Sequence, residues 1–286
     1  SSKVESLFSV EQDLKFITEG LKFRAMGYVD RYSYFDTKRR FTPFYYYTQI
    51  DESGNATLLP FNDGGPNSIG SVGTEYLTYE EGGKTVNSKM YAEAVLTYDH
   101  VFREKHTVNG LLVGRLSDYS TGNAGSLEQS LPNRNLGLSG RAAYNFDSRY
   151  FVEFNFGLNG SERFHKNNRW GFFPSMSVGW RVSEEKFFSN MKDWCNNLKF
   201  RYSFGSLGNQ QVGYYDYIRT ISIGTTGYLF GGARPSYADI SAPSADNLTW
   251  ETVQQHNAGV DMTFLDNRLT FTGEYYIRDT KDMLTA

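Results

Sequence analysis

The stretch LSGRAAYNFDSRYFVEFNFGLN, residues Leu138 to Asn159, decides the fold. Leu138, Ala142, Tyr144 and Phe146 share one parity, and Ser139, Arg141 and Asn145 share the other. After Asp147-Ser148-Arg149 the alternation resumes, with Tyr150, Val152, Phe154, Phe156 and Leu158 against Glu153, Asn155, Gly157 and Asn159. A period of two is the signature of a strand, and two such runs around a three-residue polar break make a hairpin. The same period runs through Met176 to Val182, Leu198 to Gly205, His256 to Phe264 and Leu269 to Arg278. Weaker alternation at Leu21 to Asp30, Lys89 to Tyr98 and His106 to Arg115 brings the expectation to about ten strands.

Soluble sandwiches also alternate, but their strands are commonly about 5 to 6 residues long, whereas these run to about 9 to 11, the length a tilted membrane strand requires. The apolar parity is heavy with rings. If it meets lipid, Arg141, Glu153, Arg181, Lys199, Arg201, Asp261 and Glu274 line a wet lumen. The reverse would put those charges in hydrocarbon at roughly 2 to 4 kcal/mol for each Arg or Lys near the midplane, more in sum than a domain's whole stability.

Composition agrees. The 286 residues include 22 Phe, 21 Tyr and 4 Trp, yet hydrophobic residues make up only 39%, and mean hydropathy is -0.52. Rings on one face averaged against polar groups on the other give this combination, whereas a disordered chain would be poor in aromatics. No run approaches the roughly 18 apolar residues of a spanning helix. A net charge of -3 with interspersed signs offers no basic face to nucleic acid. The single cysteine, Cys195, permits no internal disulfide. The first residues, Ser-Ser-Lys-Val-Glu, lack a signal-peptide pattern.

Connections alternate in length. Asp99 to Lys105, Asp147 to Arg149 and Leu265 to Arg268 are short; Asp51 to Ser88, Leu116 to Asn135, Gly160 to Gly171 and Gly224 to Thr249 are long. Outer-membrane barrels show this asymmetry between periplasmic turns and external loops. Ser183 to Asn197 departs from it, and the spacing of Glu184, Phe187, Phe188, Met191 and Trp194 predicts a short amphipathic helix there.

Candidate chemistry is sparse. His100, His106, His165 and His256 form no metal or catalytic motif, and no nucleophile elbow is present. Asp51, Ser53 and Asn55 around Gly54 resemble a calcium loop without its closing Glu, so a plain turn is expected. Asn55, Asn159 and Asn247 begin glycosylation-type triplets that read as coincidence. Tyr45-Tyr46-Tyr47 could stack on sugar rings or form an interfacial girdle, and Phe172 and Phe173, beside Pro174 at a strand start, are read as girdle. Trp170 and Trp250 lie nearer loops and are candidate ligand-contact aromatics. The candidate lumen-facing set is Arg141, Glu153, Asn155, Asn159, Arg201 and Glu274. No catalytic, cofactor or metal residue is assigned.

The stretches GRAAYNFDSRYFVEFNFGLNGSERF, RWGFFPSMSVGWRVSEEKFF, NLKFRYSFGSLGNQ and NLTWETVQQHNAGVDMTFLDNRLTFTGEYYIRDTKDML together resemble the SusC/RagA-like TonB-linked outer-membrane transporters of Bacteroidetes. The likeness covers roughly Leu131 to Leu284, with Gln12 to Leu21 looking like the family's early barrel and Arg31 to Lys89 matching faintly. It implies an all-β antiparallel transmembrane barrel, in the family 22-stranded around a plug. It also implies outer-membrane location and TonB-driven import of an oligosaccharide or peptide with a SusD-like lipoprotein. Residues 1–286 are then expected to be part of one barrel domain, without plug, TonB box or signal peptide, ending at Leu284-Thr285-Ala286 as a strand gives way to a loop. The runner-up is a soluble β-sandwich carbohydrate-binding module; an outer-membrane enzyme would need an acid, base or nucleophile cluster that is not visible.

Overall fold

The computed structural model describes residues 1–240 and 247–283; the expectation for Leu284 to Ala286 lies outside them. Its strands are β1 Ser2–Asp13, β2 Leu21–Arg40, β3 Tyr46–Ile50, β4 Ala56–Pro60, β5 Thr78–Phe102, β6 His106–Thr121 and β7 Asn133–Phe146. They continue with β8 Tyr150–Ser161, β9 Trp170–Arg181, β10 Cys195–Asn209, β11 Ile221–Thr225, β12 Ser236–Ile240, β13 Glu251–Phe264 and β14 Leu269–Lys281. Ten form one sheet in the order β1-β2-β5-β6-β7-β8-β9-β10-β13-β14, while β3-β4 and β11-β12 are separate two-stranded sheets. From β6 to β14 every pairing in the large sheet is antiparallel. The sheet does not close: β1 and β14 stand at its two ends. Ten strands in one sheet differ from a sandwich, which divides its strands between two packed sheets.

The expected hairpins form, and their short turns show why. Lys105 N–H donates to Phe102 O at 3.2 Å and Arg149 N–H to Phe146 O at 2.9 Å, with positive φ at both central residues, Arg103 and Glu104 in one and Asp147 and Ser148 in the other. That is the turn geometry whose twist matches two antiparallel strands. The strands outrun the expected length: β5 has 25 residues and β2 has 20. β5 begins inside the stretch read as a long connection, and β2 runs on past Asp30, because backbone pairing does not stop where the apolar alternation does. The strand β1 was not anticipated; all but one of its residues are exposed, so no burial pattern marks it.

Facing follows parity. On β7 to β10 the large apolar residues of the even-numbered parity are open to the outside, with Phe154 45% exposed, Phe172 58%, Met176 46% and Phe200 47%. The chain leaves 20222 Å² accessible, against about 12,000 Å² for a globular monomer of its mass. Apart from Val95 within β5, the buried side chains lie toward strand ends and in connections. At the short-turn end Val182, Phe188 and Cys195 pack with Leu198 and Phe264.

The amphipathic helix expected between Ser183 and Asn197 is replaced by two 3-10 segments, Val182–Glu184 and Lys186–Met191. The sequence repeats here in steps of three. Val182 accepts from Glu185, Glu185 from Phe188 and Met191 from Trp194, and a three-residue repeat puts Phe188 inward while Phe187 stays 70% exposed. Pro174 is tolerated in β9 because the β10 ladder begins only at Ser175, so its missing N–H costs no bond on that side.

By contact the chain forms two compact units, one of Ser1–Val4 with Arg31–Asn87 and one of Glu5–Asp30 with Ser88–Ala286. In the first, Asn62 is 1% exposed and ties the connection together. Its Oδ1 accepts from Tyr45 N at 2.8 Å, and its Nδ2 donates to Pro43 O and Ser71 O, both at 2.9 Å. At ~1–3 kcal/mol for each buried group left unpaired, Asn62→Ala should open residues 43–73 locally. Limited proteolysis of the full protein should show new cuts there; an unchanged digest would mean that backbone pairing alone holds the segment.

Candidate lumenal face and loop clamp

The face opposite the rings carries a paired polar network. Arg141 on β7 reaches Glu153 on β8 at 2.7 Å, and Asn155 Nδ2 donates to the other oxygen of Glu153 at 2.9 Å. Arg201 on β10 donates from Nε to Asp261 on β13 at 3.1 Å and from Nη2 to Glu274 on β14. Arg115 on β6 crosses to Asn159 on β8 at 3.2 Å. The six candidate lumen residues therefore share a face but form three separate groups. Being partly exposed, such pairs contribute about 0 to 1 kcal/mol each, so their weight is in shaping a polar surface.

A groove of about 500 Å³ runs between the first two groups, lined by Arg141, Glu153, Lys199, Arg201, Asn257 and Phe151. Phe151 and Arg115 escaped the sequence reading. Phe151 shares the parity of Glu153, which was the available signal; Arg115 lies on a strand whose alternation is weak.

Glycines make the crossings possible. A Cβ on Gly137 would lie 2.7 Å from Arg115 Nε, and one on Gly259 would lie 2.7 Å from Arg201 Cζ. Each arginine lies flat over the glycine opposite it and pairs with a side chain on the strand beyond.

The aromatic candidates resolve differently. Trp170 shares the parity of Phe172, is 52% exposed and lies over Gly160, on the face opposite the paired polar network. Trp250 is 7% exposed, with Phe164 and Phe173 against it at 5.1 and 5.4 Å between ring centres and its Nε1 donating to Arg169 O at 3.2 Å. That ring is held by packing and by its own hydrogen bond. Phe173 likewise leaves the girdle, since it covers Gly171 and Gly208 beside Trp250.

This cluster belongs to a clamp built by four consecutive residues after β8. Glu162 accepts from Tyr215 at 3.0 Å; the Arg163 guanidinium lies 3.7 Å from the Tyr214 ring and bonds Val212 O. Phe164, 0% exposed, packs on Trp250, and the His165 ring meets Tyr217 edge-on at 5.6 Å. Residues 162–165 thus grip both the start and the end of the long segment between β10 and β13. Periodicity could not reveal this, because loop contacts carry no repeat.

At the short-turn end Glu185 accepts from Tyr150 at 2.5 Å and from Trp180 Nε1 at 3.1 Å, with Arg149 at 3.7 Å. The polar tips of the Tyr150 and Trp180 rings thus both have a hydrogen-bond acceptor, as such rings require. From the Tyr150–Trp180 pair to the Gly160–Trp170 pair β8 takes ten steps. At ~3.4 Å per residue and ~45° tilt that is about 24 Å, the height of a barrel's apolar band.

The Tyr150 hydroxyl, then Trp180, hold the Glu185 carboxyl below its ordinary range. A lowered folded pKa stabilises above the unfolded value and is lost as pH falls through the folded one. Trp180 fluorescence, isolated by subtracting a Trp180→Phe variant, should therefore change at pH below the usual carboxylate range. The change should vanish in Glu185→Gln; persistence there would remove Glu185 as its source.

The Asp51 stretch is the plain turn. Its Oδ1 accepts from Ser53 N and Asn55 N at 2.9 and 2.7 Å, and Oδ2 from Asn55 Nδ2 at 3.0 Å. Among the described residues no group of His, Cys, Asp or Glu is arranged for a metal.

These features agree with comparisons to known proteins. The family model "TonB dependent receptor-like, beta-barrel" matches residues 8–286. SusC, a TonB-dependent receptor of Bacteroides thetaiotaomicron, is 36% identical over 152 residues, covering 51% of this chain and 15% of SusC. TonB-dependent receptor P39 of Formosa agariphila is 28% identical over 216 residues, covering 67% of this chain and 20% of that protein. The chain thus spans a fifth or less of the length of these relatives. The structure of the RagAB peptide transporter shares the fold, with TM-score 0.61 at 20% identity over 99% of this chain and 31% of that one. A matching family model, an uncovered ring-rich face and a paired polar face agree, and the chain belongs to the TonB-dependent receptor-like β-barrel family of outer-membrane proteins.

Proposed function

We propose that residues 1–286 are part of the single barrel domain of an outer-membrane importer that takes up a large nutrient, a glycan or a peptide. The importer works with a SusD-like surface lipoprotein and draws energy through TonB. This chain supplies wall, lumenal surface and external loops; the coupling to TonB lies in other parts of the protein. The observation that carries the reading is the separation of faces. Outward rings stand between two girdle rows about one apolar band apart, where they contact outer-membrane lipid, while Arg141, Glu153, Arg201, Asp261 and Glu274 pair on the other side. The relatives are TonB-dependent receptors, which supports transport over catalysis.

Deleting the parent gene should abolish growth on one class of glycan or peptide polymer while sparing growth on its monomers. The full gene should restore it, and the same gene unable to engage TonB should not. Growth unaffected on every polymer class would overturn the import reading.

A further inference from the structure

Three basic side chains on the lumenal face cross a glycine on the adjacent strand. Arg115 crosses Gly137 and ends on Asn159; Arg201 crosses Gly259 and ends on Glu274. Lys199 crosses the edge of Gly179, whose Cβ would lie 3.3 Å from Lys199 Cε, and ends 4.5 Å from the centre of the Phe151 ring. Two of the three reach an oxygen. The third reaches a ring face, which attracts the cation but accepts none of its three N–H bonds in the plane of a carboxylate.

Directly opposite Lys199 in the β9–β10 register stands Arg181, its Cζ 5.9 Å from the same ring. Like charges facing each other across a ladder are unfavourable. Arg181 Nε is buried without a partner among the described residues. Among the described residues the nearby carboxylates are already engaged by other groups. Asp261, Lys199's partner on the other flank, gives Oδ2 to Arg201 at 3.1 Å and Oδ1 to Thr272 at 3.2 Å. Both oxygens of Glu153 are taken by Arg141 and Asn155. Arg141, Arg181, Lys199 and Arg201 against Glu153, Asp261 and Glu274 leave one positive charge uncompensated.

We propose that Arg181 and Lys199, on the Phe151 ring, form a subsite for a single carboxylate presented from the lumen. One oxygen is taken by the guanidinium and the other by the ammonium, and the net charge of these seven side chains falls to zero. A doubly charged phosphate would overshoot that balance beside Glu153 and Asp261. The subsite rests on the reading of this face as lumenal.

The test is the rate at which an N-hydroxysuccinimide ester acylates Lys199 in the full-length protein in detergent, read by mass spectrometry. A carboxylate belonging to the protein's own chain makes Lys199 react about 10-fold more slowly than in an Arg181→Gln variant, with no ligand added. Removing a neighbouring cation alone would shift the rate the other way, so acceleration in the variant is specific. A carboxylate carried by a solute instead leaves Lys199 fast until trigalacturonate is added. Slowing then saturates, is absent with neutral trigalactose and is lost in Arg181→Gln. Acylation indifferent to both trigalacturonate and Arg181→Gln overturns the subsite. In the same protein Ser177→Cys should react with a charged maleimide and Val178→Cys should not. If that pattern holds, failure at Lys199 refutes the subsite alone; if it reverses, the lumenal reading fails and takes the subsite with it.

Discussion

Phe154→Arg in the full-length protein should nearly abolish assembly into the outer membrane, and Val152→Arg should do much the same, while Asn155→Arg assembles close to wild type. The three positions lie within four residues of one strand, so propensity and strand pairing are nearly constant among them. Facing is what differs. Val152 and Phe154 stand 46% and 45% exposed on the ring-bearing side, in the middle of β8, where β7 and β9 present Tyr144, Ala142, Val178 and Met176. An arginine there meets hydrocarbon at ~2–4 kcal/mol, too far from either girdle to snorkel out cheaply. Asn155→Arg enters the polar groove next to Glu153. It also faces Arg141 across the ladder, so a mild loss of well under 1 kcal/mol is expected from like-charge opposition in water. Heat-modifiable mobility of the membrane-extracted protein measures the folded fraction. Equal losses at Asn155 and Phe154 would refute the facing assignment.

The sheet was legible because period-two alternation is local: Tyr144, Val152, Phe154 and Met176 each declare a face from their own neighbours. What alternation cannot encode was missed or misplaced. Phe151 and Phe173 carry rings on the polar face, where a hydrophobicity pattern reads them as outward or ignores them. Trp170 and Trp250 both lie near loops, yet one is exposed and the other buried, a difference set by the register against Gly160 and by the distant Phe164. The apolar spacing after Ser183 was read at helical period although the chain repeats in threes, and over so short a run the two are nearly indistinguishable. The lumenal residues could be placed on a face by parity, but their division into three groups depends on glycines 137 and 259, which have no side chain to advertise them.

Phe164→Ala should have the second large effect, and a differently shaped one. Phe164 is fully buried against Trp250, and removing such a ring costs ~3–5 kcal/mol. It lies after the end of β8, outside the ladders, so the loss falls on the clamp and leaves strand pairing intact. The gripped segment is already under load. Tyr215 holds φ at 63°, a backbone state that costs a bulky residue ~1–3 kcal/mol, and its hydroxyl is shared between Pro132 O at 2.6 Å and Glu162 at 3.0 Å. Burial, then Glu162, pushes the Tyr215 phenol up, so it stays a donor throughout the physiological range. With the ring gone, the remaining ties are hydrogen bonds and ring contacts such as Asn168 to Leu248 O at 3.2 Å, Tyr215 to Glu162 and Arg163 on Tyr214, and the buried apolar contact that offsets the strain is lost. Where reclosing outpaces cleavage, proteolysis follows the open population, so ~3 kcal/mol becomes roughly a hundredfold faster cutting. The new cuts should fall between Tyr217 and Tyr237 while heat-modifiable mobility stays that of wild type. If mobility is lost instead, the ring supports the barrel wall. If the digest is unchanged, residues 162–165 do not hold the segment and its order comes from elsewhere.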